Sequence, residues 1–555
     1  MTQSNTPKTT AVSRRNFLRF LGRGGVAAVA TTLLQPLGIS EASPASRPTR
    51  QPAKGGLPFA PLKPTSQDDL VLAQGFEYKV LASWKDSLNA TGDYFGYNND
   101  YTQFIPLKGQ DSNNGLLWVN HESTHPMFVG GRLPGQARSK AQVVKEQYSV
   151  GGSIVRIQRA NADAPWKVVH NHRLNRRFHA RTPIPLISPR PIAGKKTAIG
   201  TLGNCSGGIT PWGSILTCEE NYDEFYNEIV YNSGKRSYKY KRSYFGWEEF
   251  FPMPPEHYGW VVEIDPLTGK SHKLTALGRF AHESATVVQA KDGRCVVYMG
   301  DDTSNQCIYK FVAARPGTLQ EGELFVADVV LGRWISLDIR KNAFLRNHYK
   351  DQTDVLINAR TVSHQVGGTP MDRPEDIEVD PQTKHVYVSL TNNKSKGNYF
   401  GSILKLEEEN GDFLSTRFKA STFLPGGPKS GFACPDNMSF DPAGNLWVMT
   451  DISSGSMNKE PYRPYGNNGL FYIPLRGPQA GRAFQVASAP RDAELTGMSF
   501  SSDGSTIFLS VQGVGKRSRS IEKPSSHWPL GGNHSPKPSV VTIQGPALKA
   551  LLKRS

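Results

Sequence analysis

Cysteine is scarce in this chain of 555 residues: there are five, at positions 205, 218, 295, 307 and 434. None form a Cys-x-x-Cys pair, which excludes a zinc ribbon and a thioredoxin-type redox centre. An odd number at this length also excludes a disulfide framework as the main brace; one bridge would still leave a thiol free, and a metal ligand is one reason to keep it. Long apolar runs are lacking as well. No stretch reaches 18 consecutive apolar residues, so no transmembrane helix is expected. Several catalytic signatures are missing: there is no G-x-x-x-x-G-K-[ST] phosphate loop, no H-E-x-x-H and no G-x-S-x-G elbow. Acidic residues are the minority, 48 against 65 Lys and Arg, giving a formal net charge of +17. That balance favours anionic partners.

What is present starts with Ser13-Arg14-Arg15-Asn16-Phe17-Leu18. A mild apolar run from Gly24 to Leu34 follows, then small residues at Ser40-Glu41-Ala42 and Ser43-Pro44-Ala45. Basic start, short apolar stretch and small-residue cleavage site are the layout of a twin-arginine (Tat) export signal. The run is too short and too glycine-interrupted for a membrane anchor. The expected organisation is a signal over 1–45, a disordered leader rich in Pro, Ser, Ala, Lys and Gly over 46–64, and a single domain over 65–555. Tat carries folded proteins, so the signal predicts a periplasmic or secreted product and hints at a metal loaded before export.

The mature chain carries many short β-branched and aromatic runs and few helical ones. Examples are Leu116-Leu117-Trp118-Val119, Cys295-Val296-Val297-Tyr298-Met299 and Asn445-Leu446-Trp447-Val448-Met449. Turns of one kind separate them: Asp265-Pro266, Asp380-Pro381, Asp441-Pro442 and Ser501-Ser502-Asp503-Gly504. Their recurrence predicts an all-β fold, a β-propeller of six or seven four-stranded blades. Residues 222–255 and 341–371 break the pattern and read as insertions, and 546–553 reads as a terminal helix. Lys235, Arg236, Lys239, Lys241 and Arg242, interleaved with tyrosines, read better as a solvated insertion than as a nucleic-acid surface. Arg173, Arg176, Arg177 and Arg181 form a similar patch.

Polar clusters sit in apolar, glycine-rich surroundings: Asn120-His121-Glu122, Asn204-Cys205-Ser206-Gly207-Gly208, Glu219-Glu220-Asn221, His282-Glu283-Ser284, Gly300-Asp301-Asp302, Arg373-Pro374-Glu375-Asp376 and Cys434-Pro435-Asp436-Asn437. Each alone reads as a turn or a strand end. Their centres at 205, 283, 375 and 436 are spaced to fall on different blades, whose innermost strands face one axis. Carboxylates suit hard cations, and a thiolate among them points to a transition metal beside a hard one. Arg373 would place a planar fork beside a bound oxyanion. Metals with arginine make a clamp for phosphoryl transfer. A serine nucleophile at Ser206 or Ser284 has no readable His–Asp partner.

At these clusters the chain resembles the PhoX family of Tat-exported bacterial alkaline phosphatases. The matching stretches are Asn204 to Gly213, Thr217 to Asn221, Gly278 to Ala285, Gly300-Asp301-Asp302, Arg373 to Asp376 and Pro435 to Asp441. The resemblance implies a six-bladed propeller, a di-iron and calcium centre (Fe3+ and Ca2+), and hydrolysis of phosphate monoesters for phosphate scavenging. By position it makes Cys205, Glu283, Glu375 and Asp436 iron or mixed-metal ligands. It makes Glu122, Glu219, Glu220, Asp301 and Asp302 calcium candidates, with only one of Glu219 and Glu220 expected to point inward. Arg373 becomes the phosphate-binding arginine and Asn437 a second substrate contact. Val511-Gln512-Gly513-Val514-Gly515 departs from the family's Val-Gln-His-Pro-Gly. The expected partners are small phosphomonoesters and, during export, the Tat translocase, with no nucleic acid and no membrane anchor; the protein is expected to be a monomer. The alternatives are a calcium-dependent propeller hydrolase acting on a lactone or phosphodiester, and a non-catalytic binding propeller.

Overall fold

Short strands joined by Asp-initiated turns pair with their chain neighbours, and the turn carboxylates hold the corners. Gln382 N–H donates to Asp380 Oδ1 at 2.8 Å, and Asn445 N–H to Asp441 Oδ1 at 2.8 Å. Ser505 N–H makes the same bond to Asp503 Oδ1 at 3.1 Å. These three turns join the first and second strands of consecutive sheets, whereas the Asp265 turn joins a third strand to a fourth.

A computed structural model describes residues 56–133, 135–232 and 235–553. The predicted signal, 1–45, and most of the predicted leader lie outside the described residues. Six sheets, antiparallel but for one parallel pair (Lys273-Leu274 with Leu186-Ile187) on the outside of blade II, form a six-bladed β-propeller. Their innermost strands, blade I to blade VI, are Asn99–Pro106, Asn204–Ile209, Thr286–Gln289, Pro374–Val379, Pro435–Phe440 and Glu494–Phe500. Each packs against the next, and the last against the first, so the ring closes. Blade VI is completed on its outside by Glu77–Ser83, which pairs with Ser539–Gln544, so the two ends of the folded chain share one sheet.

The core lies between blades. Phe104, Leu117, Val155 and Trp166 of blade I meet Phe508 and Val540 of blade VI, with Phe104 and Phe508 stacked at 5.5 Å. Fully burying one such side chain is worth about 1.5–3 kcal/mol. The predicted leader is shorter than composition suggested. Phe59 is buried, edge-on to Phe76 and Tyr472, and Leu62 N–H donates to Gln485 O. Apolar Phe59 outweighs its Pro- and Lys-rich neighbourhood.

The insertion at 222–255 carries its own aromatic cluster, Tyr222, Phe225, Tyr226, Phe245 and Trp247. Three of its basic residues are paired: Arg236 with Glu256, Lys239 with Asp223 and Arg242 with Glu249. In the other patch Arg177 is buried and donates to the carbonyls of Tyr148, Val150 and Gly152. Residues 341–371 are helical, as Ala343–His348, Gln352–Ile357 and Ala359–Gln365, and Pro546–Leu552 is the terminal helix. All five cysteines are free thiols. No helix among the described residues is long and apolar enough to cross a membrane.

Candidate metal centre

One backbone irregularity recurs around the ring. In blades I, II, IV, V and VI the innermost strand has one extra residue against its neighbour, at Asp100-Tyr101, Cys205-Ser206, Glu375-Asp376, Asp436-Asn437 and Gly497-Met498. Blade III shows the same shift between the His282–Asp301 bridge and the Thr286–Tyr298 pair, a span that includes Glu283. A bulge bends the strand and re-aims a side chain. Here it directs Asp100, Cys205, Glu283, Glu375 and Asp436 to one end of the central channel. Blade VI has Gly497 instead, at φ +49, where a Cβ would come within 2.3 Å of the Tyr101 backbone. A second tier comes from the ends of the second strands: Glu122, Glu220, Asp302 and Asp451.

Three groups of ligand atoms, each within 4.8 Å of one another, result: Glu122, Cys205 and Glu220; Glu220, Glu283 and Asp302; and Glu283, Glu375 and Asp436. Glu220 and Glu283 each belong to two groups, so the three sites adjoin. The Cys205 thiol lies 3.4 Å from Glu283 Oε1 and 3.6 Å from Asp100 Oδ2. Burial, then Asp302 and Glu283, pushes Glu220 well above the usual carboxylate range. Burial followed by Glu375 does the same to Glu283, and burial followed by Glu375 and Glu283 to Asp436. Burial, Asp100 and Glu283 raise the Cys205 thiol. Glu283 Oε2 and Asp100 Oδ1 are buried without a hydrogen-bond partner. Buried acceptors left unpaired among like charges are what a cation would satisfy. A bound cation would also reverse these shifts and favour the thiolate.

Arg373 bridges the tiers. Its Nε and Nη2 donate to Asp302 at 2.8 and 2.7 Å, Nη2 lies 2.9 Å from Glu375, and Nη1 lies 3.7 Å from Asp451. It sits at φ 58 immediately before Pro374, a conformation that costs about 1–3 kcal/mol in a non-glycine residue and clusters at functional sites.

Two of the predicted calcium candidates are not in the cluster. Glu219 turns away to the buried ammonium of Lys273 at 2.6 Å. Asp301 is held by Arg360 through two bonds of 2.7 and 2.9 Å. Alternation along the chain separates each from its neighbour, Glu220 or Asp302. Asn437 is engaged by the protein at both ends of its amide: its Nδ2 donates to Glu283 Oε1 at 3.1 Å and its Oδ1 accepts from Gly497 N–H at 2.9 Å. It positions Glu283. Gln512, in the departing Val511 to Gly515 segment, donates to Asp100 and Glu122 at 2.6 and 2.7 Å. Sequence reasoning missed Asp100, Asp451, and the pair of Glu494 and Lys516, in which Glu494, followed by Glu122 and Asp451, holds the ammonium above its usual range. Asp100 follows Asn98-Asn99 at the start of an innermost strand, and the shared bulge position was its signal.

Fold and site together define a β-propeller enzyme whose blades converge on a carboxylate cluster crossed by an arginine. The chain matches the family model described as "Alkaline phosphatase PhoX" over residues 57–515, and it belongs to that family. It is thus a phosphatase. Among solved structures it is similar to Pseudomonas fluorescens PhoX in complex with vanadate, a transition state analogue. The two are 31% identical, with 88% of this chain and 98% of that one covered, and the TM-score is 0.78. A gluconolactonase of Xanthomonas campestris matches at 10% identity over 90% of this chain and 99% of its own, with a TM-score of 0.35. A putative 6-phosphogluconolactonase from Bacteroides uniformis matches at 9% identity over 73% and 76%, with a TM-score of 0.30. Neither carries weight at those scores. Among curated proteins, none matches this chain.

Proposed function

We propose that the protein is a metal-dependent alkaline phosphatase that hydrolyses phosphate monoesters, releasing inorganic phosphate for scavenging. The observation that carries this reading is the run of three adjoining ligand groups beneath Arg373. Glu122, Cys205 and Glu220 would hold iron, because a thiolate suits a transition metal; the all-carboxylate groups suit calcium or a second iron. Bound cations would neutralise phosphoryl charge and activate an oxygen nucleophile. Asp302 and Glu375 fix the Arg373 fork, so that its Nη1 edge is left for a phosphoryl oxygen. Asn437 orients Glu283 between two groups. The vanadate complex of the Pseudomonas relative supports an oxyanion site in this arrangement. The same reading makes the protein a Tat-exported, periplasmic or secreted monomer.

The test is turnover of p-nitrophenyl phosphate at alkaline pH with elemental analysis of the same sample. Turnover that is lost with a chelator and regained with iron and calcium is the expected result; none in metal-replete protein would sink the reading. Cys205→Ser should abolish visible absorption from thiolate-bound ferric iron.

A further inference from the structure

Below the metal-ligand tier the central channel continues as a cavity of about 450 Å³, lined by the innermost strands of all six blades. Asn437 is its roof: it lines the cavity and holds Glu283 on the other side. Blade IV puts two carboxylates into this space. Asp376 and Glu378 flank the buried Ile377, so both face the axis. Neither forms an ion pair among the described residues. Asp376, 4% exposed, accepts from the N–H groups of Ile377 and Met438, each at 2.8 Å, which leaves its charge uncompensated. Beyond its neighbour's Val379 N–H, the Glu378 carboxylate has no hydrogen-bond partner among the described residues. The same two charges, after burial, push the Tyr101 phenol up, so the three groups share one space. Most other polar groups of the lining are engaged: Tyr101 donates to Gln103 at 2.9 Å, and Thr286 to Ile377 O. The hydroxyls of Ser206, on a residue 3% exposed, and of half-buried Ser439 have no hydrogen bond among the described residues.

We propose that this channel binds a short aliphatic diamine, with one ammonium on Glu378 and the other on Asp376. It is a second site, separate from the metal centre and independent of the phosphatase reading. Two buried carboxylates without a cation are costly, and no neighbouring side chain supplies one. Calcium would require about 6–8 oxygen ligands, and the uncommitted oxygens here are too few. An ammonium brings only three donors, which the Glu378 carboxylate and the Ser206 and Ser439 hydroxyls can accept. Residues two apart on a strand are separated by about 7 Å, the reach of an extended four-carbon diamine. Met498 and Phe500 give its methylenes an apolar wall and its charge an aromatic face.

The experiment is calorimetric titration of the metal-replete full protein with putrescine, with butylamine as the one-ended comparison. One putrescine should bind per chain, and butylamine should bind more weakly by roughly tenfold or more. Glu378→Gln should weaken putrescine binding by roughly tenfold or more, and Ser439→Ala by a smaller factor. Both variants should keep the parent's turnover of p-nitrophenyl phosphate, since neither side chain belongs to the ligand groups. No putrescine binding, or binding that Glu378→Gln leaves unchanged, would overturn the site. Loss of a calcium ion from the Glu378→Gln protein on elemental analysis would also overturn it, because the channel would then hold a metal. Butylamine bound as tightly as putrescine would overturn the two-ended mode. Putrescine bound by a parent that hydrolyses no phosphate ester would overturn the phosphatase reading and leave the site.

Discussion

Two kinds of buried carboxylate stand side by side in this propeller. Glu219, Asp301, Glu228 and Glu408 each hold a resident cation: Lys273, Arg360, Arg279 and Lys310. Glu220, Glu283 and Asp436 are as deeply buried and have only one another and neutral donors. The contrast is sharpest in the Glu219-Glu220 doublet, where adjacent residues of one type take opposite fates; Asp301 and Asp302 each hold an arginine, Arg360 and Arg373. Glu228 shows what pairing does: Arg279 and the Tyr222 hydroxyl overcome its burial and hold it below the usual range. Burial still leaves Glu219, Asp301 and Glu408 raised despite their partners, and it pushes the unpaired set well above the usual range. A carboxylate with a resident partner is compensated within the chain, and one without is what a bound cation would compensate.

Breaking a resident pair should have the largest effect. Glu219→Gln leaves the Lys273 ammonium buried and uncompensated, for a loss of about 3–5 kcal/mol. Chemical denaturation should show it, and Glu219→Gln with Lys273→Met should recover most of the loss. The same substitution in the unpaired set should do the reverse for stability. Glu283→Gln removes repulsion, so the metal-free protein should melt higher than the parent. The metal-replete variant should lose about 10²–10³ in kcat/KM, the range for removing one preorganised group that stabilises the transition state.

A smaller effect is expected of Asn437→Ala, which frees Glu283 and orphans Gly497 N–H. It should cost about 1–3 kcal/mol of stability, and should lower kcat more than it raises KM. The smallest effect, per unit of pH, comes from titration. Carboxylates raised in the folded state keep protons that the unfolded chain has lost. Stability of the metal-free protein therefore falls as pH rises above the unfolded carboxylate range, by about 1.4 kcal/mol per pH unit for each retained proton. For Asp376, raised by burial from 3.8 to about 7, that window lies between those two values. Thermal melts across this window should slope downward without metal, and cations should flatten them.

Much of the architecture was legible. Asp-Pro turns mark the inner hairpins of blades IV and V and Asp503-Gly504 that of blade VI, and the spacing of 205, 283, 375 and 436 assigns those residues to separate blades. What escaped was mostly direction. Composition does not say which member of Glu219-Glu220 or Asp301-Asp302 faces the axis, because that depends on where Lys273 and Arg360 lie, 54 and 59 residues further on. Asp100 and Asp451 escaped because each is an ordinary turn acid until the ring brings it round. Lys516 follows directly on the stretch that departs from the family pattern, where resemblance offers no guide. Phe59 was hidden by its neighbours' composition.

The closure of blade VI has a consequence for biogenesis. Glu77–Ser83 leaves the ribosome hundreds of residues before its partner Ser539–Gln544. Until that strand arrives, the sixth blade lacks its outer half. Glu283, Glu375 and Asp436 come together on blades III to V without it, whereas Asp100 and Glu122 of blade I are fixed against them only when blade VI is complete, in a late event after Ser539–Gln544 has been made. Removal of the last few dozen residues, none of them a ligand, should disable the centre as surely as loss of Cys205.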